Sequence, residues 1–338
     1  MTVKSERYCS RYHVLLTGGT GFFGRALLRH WSNKASNGEE VFRVCILSRR
    51  PQQFLKNFPE FDGQPWLHFH EGDILDPNSL PDNKTFSHIL HAATDSTLGP
   101  QLNPLQRYSQ IVDGTRNILN YAVEKRISRF LLTSSGGVYG PQPQNLNAIS
   151  EDYHGMPDPL RPENAYSVAK RCAEHLCSLY REQFGLQTVI ARCFAFVGRD
   201  LPLDVHFAIG NFIRDALFGS EILVKGDGSP VRTFLDQRDL AHWLTKIMFS
   251  GNDGEAYNVG SDSQISIQEL ANLVRDTLAP NKVVRIVEKS ISSNLRNRYV
   301  PSIIKARTQL QLQVSISLQQ AILDTVEQRS GHSKGRVN

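Results

Sequence analysis

No stretch of this 338-residue chain approaches the roughly 18 uninterrupted apolar residues that a membrane span requires, and no apolar signal core follows its charged first eleven residues. A cytoplasmic protein without a membrane partner is the expectation. Disulfide and metal frameworks are missing as well. The five cysteines (Cys9, Cys45, Cys172, Cys177, Cys193) form no C-x-x-C pair, no histidine cluster has zinc spacing, and the set reads as reduced thiols. Runs of one charge are also lacking. The formal charge is +5, yet basic residues stand singly or in pairs such as Arg49–Arg50, Lys125–Arg126 and Lys170–Arg171, so no nucleic-acid partner is expected. A mild basic excess suits a small pyrophosphate-bearing ligand.

What is present is ordinary globular material, 40% apolar and 21% charged, enough for one large domain or two joined ones. Short apolar runs at His13–Thr17, Phe42–Leu47, Ser87–Ala93, Arg129–Ser135 and Gln187–Arg192 alternate with helix-length segments. That alternation predicts buried parallel strands with crossover helices. Phe23, Leu27 and Trp31 form one apolar helix face, and Ile111, Thr115, Ile118, Leu119 and Ala122 another, on a helix read as Asp113–Arg126. After Arg192 the rhythm loosens, with helices expected at Asn211–Phe218, Asp239–Phe249 and Ser266–Thr277, the last capped by Ser266 with Glu269 at the capping-box position. The polar tail from about residue 328 is expected to fray.

Directly after the first strand stands Thr17-Gly18-Gly19-Thr20-Gly21-Phe22-Phe23-Gly24. Glycines where a strand turns into a helix let a pyrophosphate approach the free N–H groups of the helix N-terminus, which predicts dinucleotide binding by Gly18, Gly21, Phe22, Phe23 and Gly24. An acid about 20 residues past the last glycine would hold the ribose of NAD. Here the sequence reads Leu47-Ser48-Arg49-Arg50, so Ser48 and Arg49 are expected there, and NADPH is tolerated beside NADH. Asp73 is a candidate for the adenine amino group, or a plain turn residue. Tyr166 and Lys170 share a helix face at i,i+4, and an ammonium beside a phenol stabilises the phenolate for proton exchange. Tyr121 and Lys125 have the same spacing. Context separates the pairs: Ser134-Ser135 ends a strand ahead of Tyr166, where an α/β sheet presents its ligands. Ser135 can then hydrogen-bond the substrate oxygen that Tyr166 protonates.

Thr17–Gly24, His91-Ala92-Ala93, Leu131–Gly140 and Tyr166–Lys170 together resemble the extended short-chain dehydrogenase/reductase family of nucleotide-sugar epimerases, dehydratases and reductases. The resemblance continues through Ala191–Phe194, Gly226–Gly228, Arg232–Phe234, Tyr257–Gly260 and Arg298–Pro301. It implies an α/β, Rossmann-type doubly wound parallel sheet with a smaller, discontinuous C-terminal substrate domain. The expected bounds are 11–193 plus about 229–260 for the dinucleotide domain, 194–228 plus 261–327 for the nucleotide-sugar domain, and 328–338 for a flexible tail. It further implies Ser135, Tyr166 and Lys170 as the catalytic set, Ala92 beside the cofactor, and Arg232 with Arg296 or Arg298 on the sugar diphosphate. Asn211 is a substrate contact or a helix N-cap. Ala195 departs from the family, which has a substrate-binding Asn there. A homodimer through residues 113–126 and 165–184 is implied too.

In this family the dehydratases carry Asp-Glu directly after the catalytic hydroxyl and the decarboxylases keep the Glu, whereas this chain has Gly136-Gly137. Without those carboxylates neither chemistry has its acid and base. A reductase and a 4-epimerase remain, since both need only the Ser-Tyr-Lys set and a nicotinamide. The missing ribose acid favours an exchangeable cofactor, hence reduction of a nucleotide-4-keto-6-deoxyhexose such as dTDP-4-dehydro-6-deoxyglucose by NADH or NADPH, in deoxysugar supply for surface polysaccharide. The alternatives are a UDP-hexose 4-epimerase and a non-catalytic dinucleotide sensor.

Overall fold

A computed structural model describes residues 8–39, 41–82, 85–94, 101–205, 207–287 and 298–333. In chain order the elements are β1 (Tyr8–Thr17), α1 (Phe22–Ser36), β2 (Val41–Ser48), α2 (Pro51–Asn57), β3 (Leu67–Glu71), β4 (His88–His91), α3 (Pro104–Glu124), β5 (Arg129–Ser135), α4 (Ala165–Phe184), β6 (Gln187–Cys193), β7 (Phe196–Val197), α5 (Ala208–Phe218), β8 (Ile222–Val224), β9 (Val231–Arg232), β10 (Leu235–Asp236), α6 (Gln237–Ser250), β11 (Ala256–Val259), β12 (Ile265–Ser266), α7 (Ile267–Leu278), β13 (Val284–Ile286), α8 (Ile304–Leu310) and α9 (Leu318–Ser333). Two compact units divide them. The first holds residues 1–138, 157–192 and 241–257, and the second 139–156, 193–240 and 258–338. Relative to the expected bounds, 139–156, 193, 229–240 and 258–260 fall with the second unit.

The seven-stranded sheet has the order β11-β6-β5-β4-β1-β2-β3, with parallel pairing from β3 through β2, β1 and β4 to β5. This is the doubly wound order, with its reversal point between β1 and β4, where such sheets bind ligands beyond the strands' carboxyl ends. Val14, Leu15 and Leu16 are successive and all fully buried, as befits a strand covered on both faces. On α1, Leu27 and Trp31 are buried and Phe23 is half-buried. Trp31 donates from Nε1 to Thr245 Oγ1 at 3.1 Å, which satisfies its one polar atom.

Helix α3 differs from its expected bounds at both ends. Asn103 and Gln106 form a capping box with Pro104 at the first helical position, so the helix starts nine residues before Asp113. Its first turns face outward, Leu105 being 74% exposed, and the apolar stripe that marks a helix in sequence begins only at Ile111. Arg126, expected inside the helix, lies beyond its end with a left-handed φ of 53°.

In the second unit the capping box at Ser266 and Glu269 is formed as the spacing predicts. Asp239 lies inside α6 rather than opening it, and its carboxylate accepts the backbone N–H of Ser315 at 2.9 Å. α9 continues as helix to Ser333, past the residue at which fraying was expected, anchored by the buried Ala321, Ile322 and Thr325 in its first half. No helix among the described residues is long and apolar enough to cross a membrane.

Candidate active site

Of the four glycines after β1, the three expected to form the cradle, Gly18, Gly21 and Gly24, meet different surroundings. Gly18 has φ 74°, and a Cβ there would lie 2.4 Å from the Ala92 carbonyl oxygen. A Cβ at Gly24 would lie 2.1 Å from the Gly19 carbonyl oxygen. Gly21 is different: a Cβ there would meet only Gly18 O, at an ordinary 3.4 Å, and its φ of −81° suits any residue. Nothing in the protein demands glycine at position 21. It is the N-cap of α1, without a side-chain cap and with no acid in the first turn. The helix therefore presents its N-terminal backbone and the positive end of its dipole beside a bare backbone, a cradle that fits a dinucleotide pyrophosphate.

Around this cradle the strand ends line up. Thr17 pairs in register with His91, and Ala92 follows β4 directly. His91 was quoted in the sequence motif without a role; in the fold its Nδ1 lies 2.7 Å from Thr17 Oγ1 and its Nε2 3.2 Å from Thr115 Oγ1. Burial, then the charge of Lys170, pushes its pKa down to about 3, so a neutral imidazole ties β1, β4 and α3. At the end of β2, Ser48 accepts the Arg50 N–H at 3.3 Å and Arg49 is exposed. Asp73 serves the turn after β3, its Oδ1 accepting the Leu75 N–H at 3.0 Å and its own N–H donating to Ser79 Oγ at 2.9 Å.

Tyr166 and Lys170 both stand in the first two turns of α4. Lys170, 3% exposed, donates to the Thr133 carbonyl and to Thr94 Oγ1, each at 2.8 Å. Ser135 is the last residue of β5, 8% exposed, and its Oγ accepts the Gly137 N–H at 3.1 Å. The fold thus brings the lysine of α4 onto the strand that ends in Ser135. Sequence reasoning missed Arg107, whose guanidinium lies 4.3 Å from the centroid of the half-buried Tyr166 ring. It missed Glu174 too, which binds Ser134 and Arg192.

The decoy pair reads differently. Tyr121 donates its hydroxyl to the Pro81 carbonyl at 2.7 Å, and burial pushes its pKa up to about 12. Lys125 pairs with Asp82 and Glu124. Both residues tie the end of α3 to the Pro81–Asp82 segment.

In the second unit, Arg232 lies in β9, its Nη1 donating to the Val231 carbonyl at 2.8 Å. Val231 bridges Arg298, which brings the backbones of Arg232 and Arg298 together; the Arg298 guanidinium donates to Gln264 Oε1 at 2.6 Å. Asn211 is not a helix N-cap. Phe207 holds that position, and Asn211, one turn inside α5, accepts from Arg214 Nη1 at 3.1 Å through its Oδ1. Arg296 lies outside the described residues. At the family departure, Ala195 offers its carbonyl to Leu235 N–H at 3.0 Å. Among the described residues no cluster of three or more potential ligands could hold a metal ion.

The sheet order, with a glycine-bearing helix terminus at its reversal point, defines an α/β fold of the Rossmann type. Residues 14–260 match the model of the NAD dependent epimerase/dehydratase family, and the chain belongs to that family. UDP-glucuronic acid decarboxylase 3 of Arabidopsis thaliana is 27% identical over 327 residues, covering 95% of this chain and 90% of that protein. Among solved structures, dTDP-glucose 4,6-dehydratase of Bacillus anthracis in complex with NAD aligns with a TM-score of 0.80 at 20% identity, covering 96% of this chain and 98% of that one. UDP-glucose 4-epimerase of Thermotoga maritima with UDP-glucose aligns with a TM-score of 0.76 at 21% identity, over 95% and 99% of the two chains. At these identities the structural likenesses establish the fold.

Proposed function

We propose that this protein is a nucleotide-sugar 4-ketoreductase, reducing the C4 keto group of a nucleotide-4-keto-6-deoxyhexose with NADH or NADPH. The relatives named above act, by their names, on UDP-glucuronic acid, dTDP-glucose and UDP-glucose, which supports a nucleotide sugar as substrate. Two observations support the choice of reaction: no acid stands in Ser48-Arg49-Arg50 to retain NAD as an epimerase would, and Ser135, Tyr166 and Lys170 are all present while the two residues after Ser135 are Gly136 and Gly137. Decarboxylation or dehydration needs a carboxylate there to move a proton, and glycine has none.

Gly18, Gly21 and the N-terminus of α1 would hold the dinucleotide's pyrophosphate, and its reduced nicotinamide would supply the hydride. Tyr166 donates its phenolic proton to the C4 oxygen, Lys170 stabilises the resulting phenolate, and Ser135 hydrogen-bonds the same oxygen. Arg232 and Arg298 hold the diphosphate through guanidinium contacts. Arg49, exposed beside Ser48, accommodates a 2′-phosphate and so admits NADPH.

The test is absorbance at 340 nm with purified protein, NADH or NADPH, and 4-keto-6-deoxyglucose linked to dTDP or CDP. Stoichiometric cofactor loss is expected. No loss, together with interconversion of UDP-glucose and UDP-galactose without added cofactor, would replace the reductase by the epimerase.

A further inference from the structure

Glu174 continues on α4 the stripe begun by Tyr166 and Lys170, one turn further along. Its Oε1 accepts from Ser134 Oγ at 2.5 Å, and its two carboxylate oxygens take the Arg192 guanidinium, with Nη2 to Oε2 at 2.8 Å. The Arg192 and Glu174 side chains are only 17% and 12% exposed. Ser134 immediately precedes Ser135 on β5, and Arg192 lies on β6, the adjacent strand. One carboxylate therefore ties the helix that carries Tyr166 and Lys170 to the strand that ends in Ser135 and to its neighbour.

Lys170 already grips β5 at the Thr133 carbonyl. One tie on this stripe still lets a helix pivot about it. A second tie four residues on, about 6 Å along the axis, fixes the direction of α4 along the strand, in addition to the Arg171 contact to the Val138 carbonyl and the buried Ala169, Ala173 and Cys177. We propose that Glu174 is a positioning residue: through Ser134 and Arg192 it sets the register of α4 on β5 and thereby the placement of Tyr166 and Lys170 against Ser135. This rests on those three residues being the catalytic set, and not on which nucleotide sugar is turned over.

Glu174→Gln keeps the volume and the acceptor for Ser134 but removes the charge that holds Arg192, while Ser134→Ala removes only the tie to β5. Glu182→Gln, exposed on the same helix, is the control. The variants are measured on whichever hydride transfer the wild-type enzyme performs, reduction or epimerisation. Misplacement of reacting groups predicts a kcat loss of about 10–100-fold in Glu174→Gln and about tenfold in Ser134→Ala, with KM for the sugar and Kd for the dinucleotide within about twofold. Backbone amides 166–170 should exchange hydrogen about tenfold faster or more in both variants and unchanged in the control.

A lower thermal midpoint with kcat intact would reduce Glu174 to a structural residue and overturn the proposal. If Glu174→Gln does not fold, an unchanged kcat in Ser134→Ala overturns it alone. Full turnover in Tyr166→Phe would sink the catalytic assignment instead, and the exchange measurement would still report whether Glu174 orders α4.

Discussion

Gly21→Ala should separate cofactor binding from folding, because position 21 is the one glycine of the loop that the protein itself does not need. A methyl there meets nothing nearer than Gly18 O at 3.4 Å, and φ −81° is allowed to alanine. The folding cost is that of replacing a glycine N-cap by alanine, about 0.5–1 kcal/mol, which in a chain of this size lowers the thermal midpoint by only about 1–3 °C. The binding cost is larger. A methyl projecting from the helix terminus displaces the pyrophosphate from N–H donors worth about 1.5–3 kcal/mol each as charged hydrogen bonds, so losing one weakens dinucleotide binding about 10–100-fold. Gly18→Ala is the counterpart. Its φ of 74° and the 2.4 Å approach to Ala92 O strain the apoprotein itself, so its thermal midpoint should fall further than that of Gly21→Ala. Titration of NADH fluorescence, paired with thermal unfolding of the apoprotein, measures both. Wild-type affinity in Gly21→Ala would refute the placement of the pyrophosphate, and a midpoint loss equal to that of Gly18→Ala would refute the reading of the loop.

Tyr166→Phe should lower turnover at least about 100-fold while leaving dinucleotide affinity within about twofold, as stopped-flow absorbance and fluorescence titration would show. Tyr121→Phe, by contrast, strips a donor from the Pro81 carbonyl and should cost about 1–3 kcal/mol in urea unfolding with kcat unchanged. Arg49→Ala should weaken NADPH binding and leave NADH binding unaltered; equal effects on both would remove Arg49 from the cofactor site. His91 sets a pH dependence. Its pKa is about 3 in the fold against an ordinary 6.5, so the unfolded chain binds a proton that the native one refuses. That contribution is fully present above pH 6.5 and is lost on acidification towards pH 3, with a slope of about 1.4 kcal/mol per pH unit. His88, held at about 4 by burial, acts in the same direction. Urea midpoints at pH 7 and pH 5 measure the slope, and His91→Gln should flatten it.

The tyrosine–lysine spacing shows how far the sequence could be read. It occurs twice, and on local grounds both copies are amphipathic-helix residues on one face. The bounds of α4 came with the family resemblance, while β5 with its terminal Ser135 was legible from its apolar run. What separates the two pairs is their non-local surroundings. Lys170 meets Thr133 and Thr94, 37 and 76 positions away towards the sheet's carboxyl end, whereas Lys125 meets Asp82, 43 positions away, and its own neighbour Glu124. No periodicity carries those separations, and the same reason hid Arg107, Glu174 and the role of His91. Arg107 sits in the outward first turns of α3 that lack an apolar stripe, so the helix that delivers it to Tyr166 was read as starting six residues after it. The glycine loop was legible for the opposite reason: its constraints lie within a few residues of one another, at a strand-to-helix turn. Even there the sequence treats Gly18, Gly21 and Gly24 alike, and only the fold reveals that the first and last press on the protein's own backbone while Gly21 meets nothing that requires glycine.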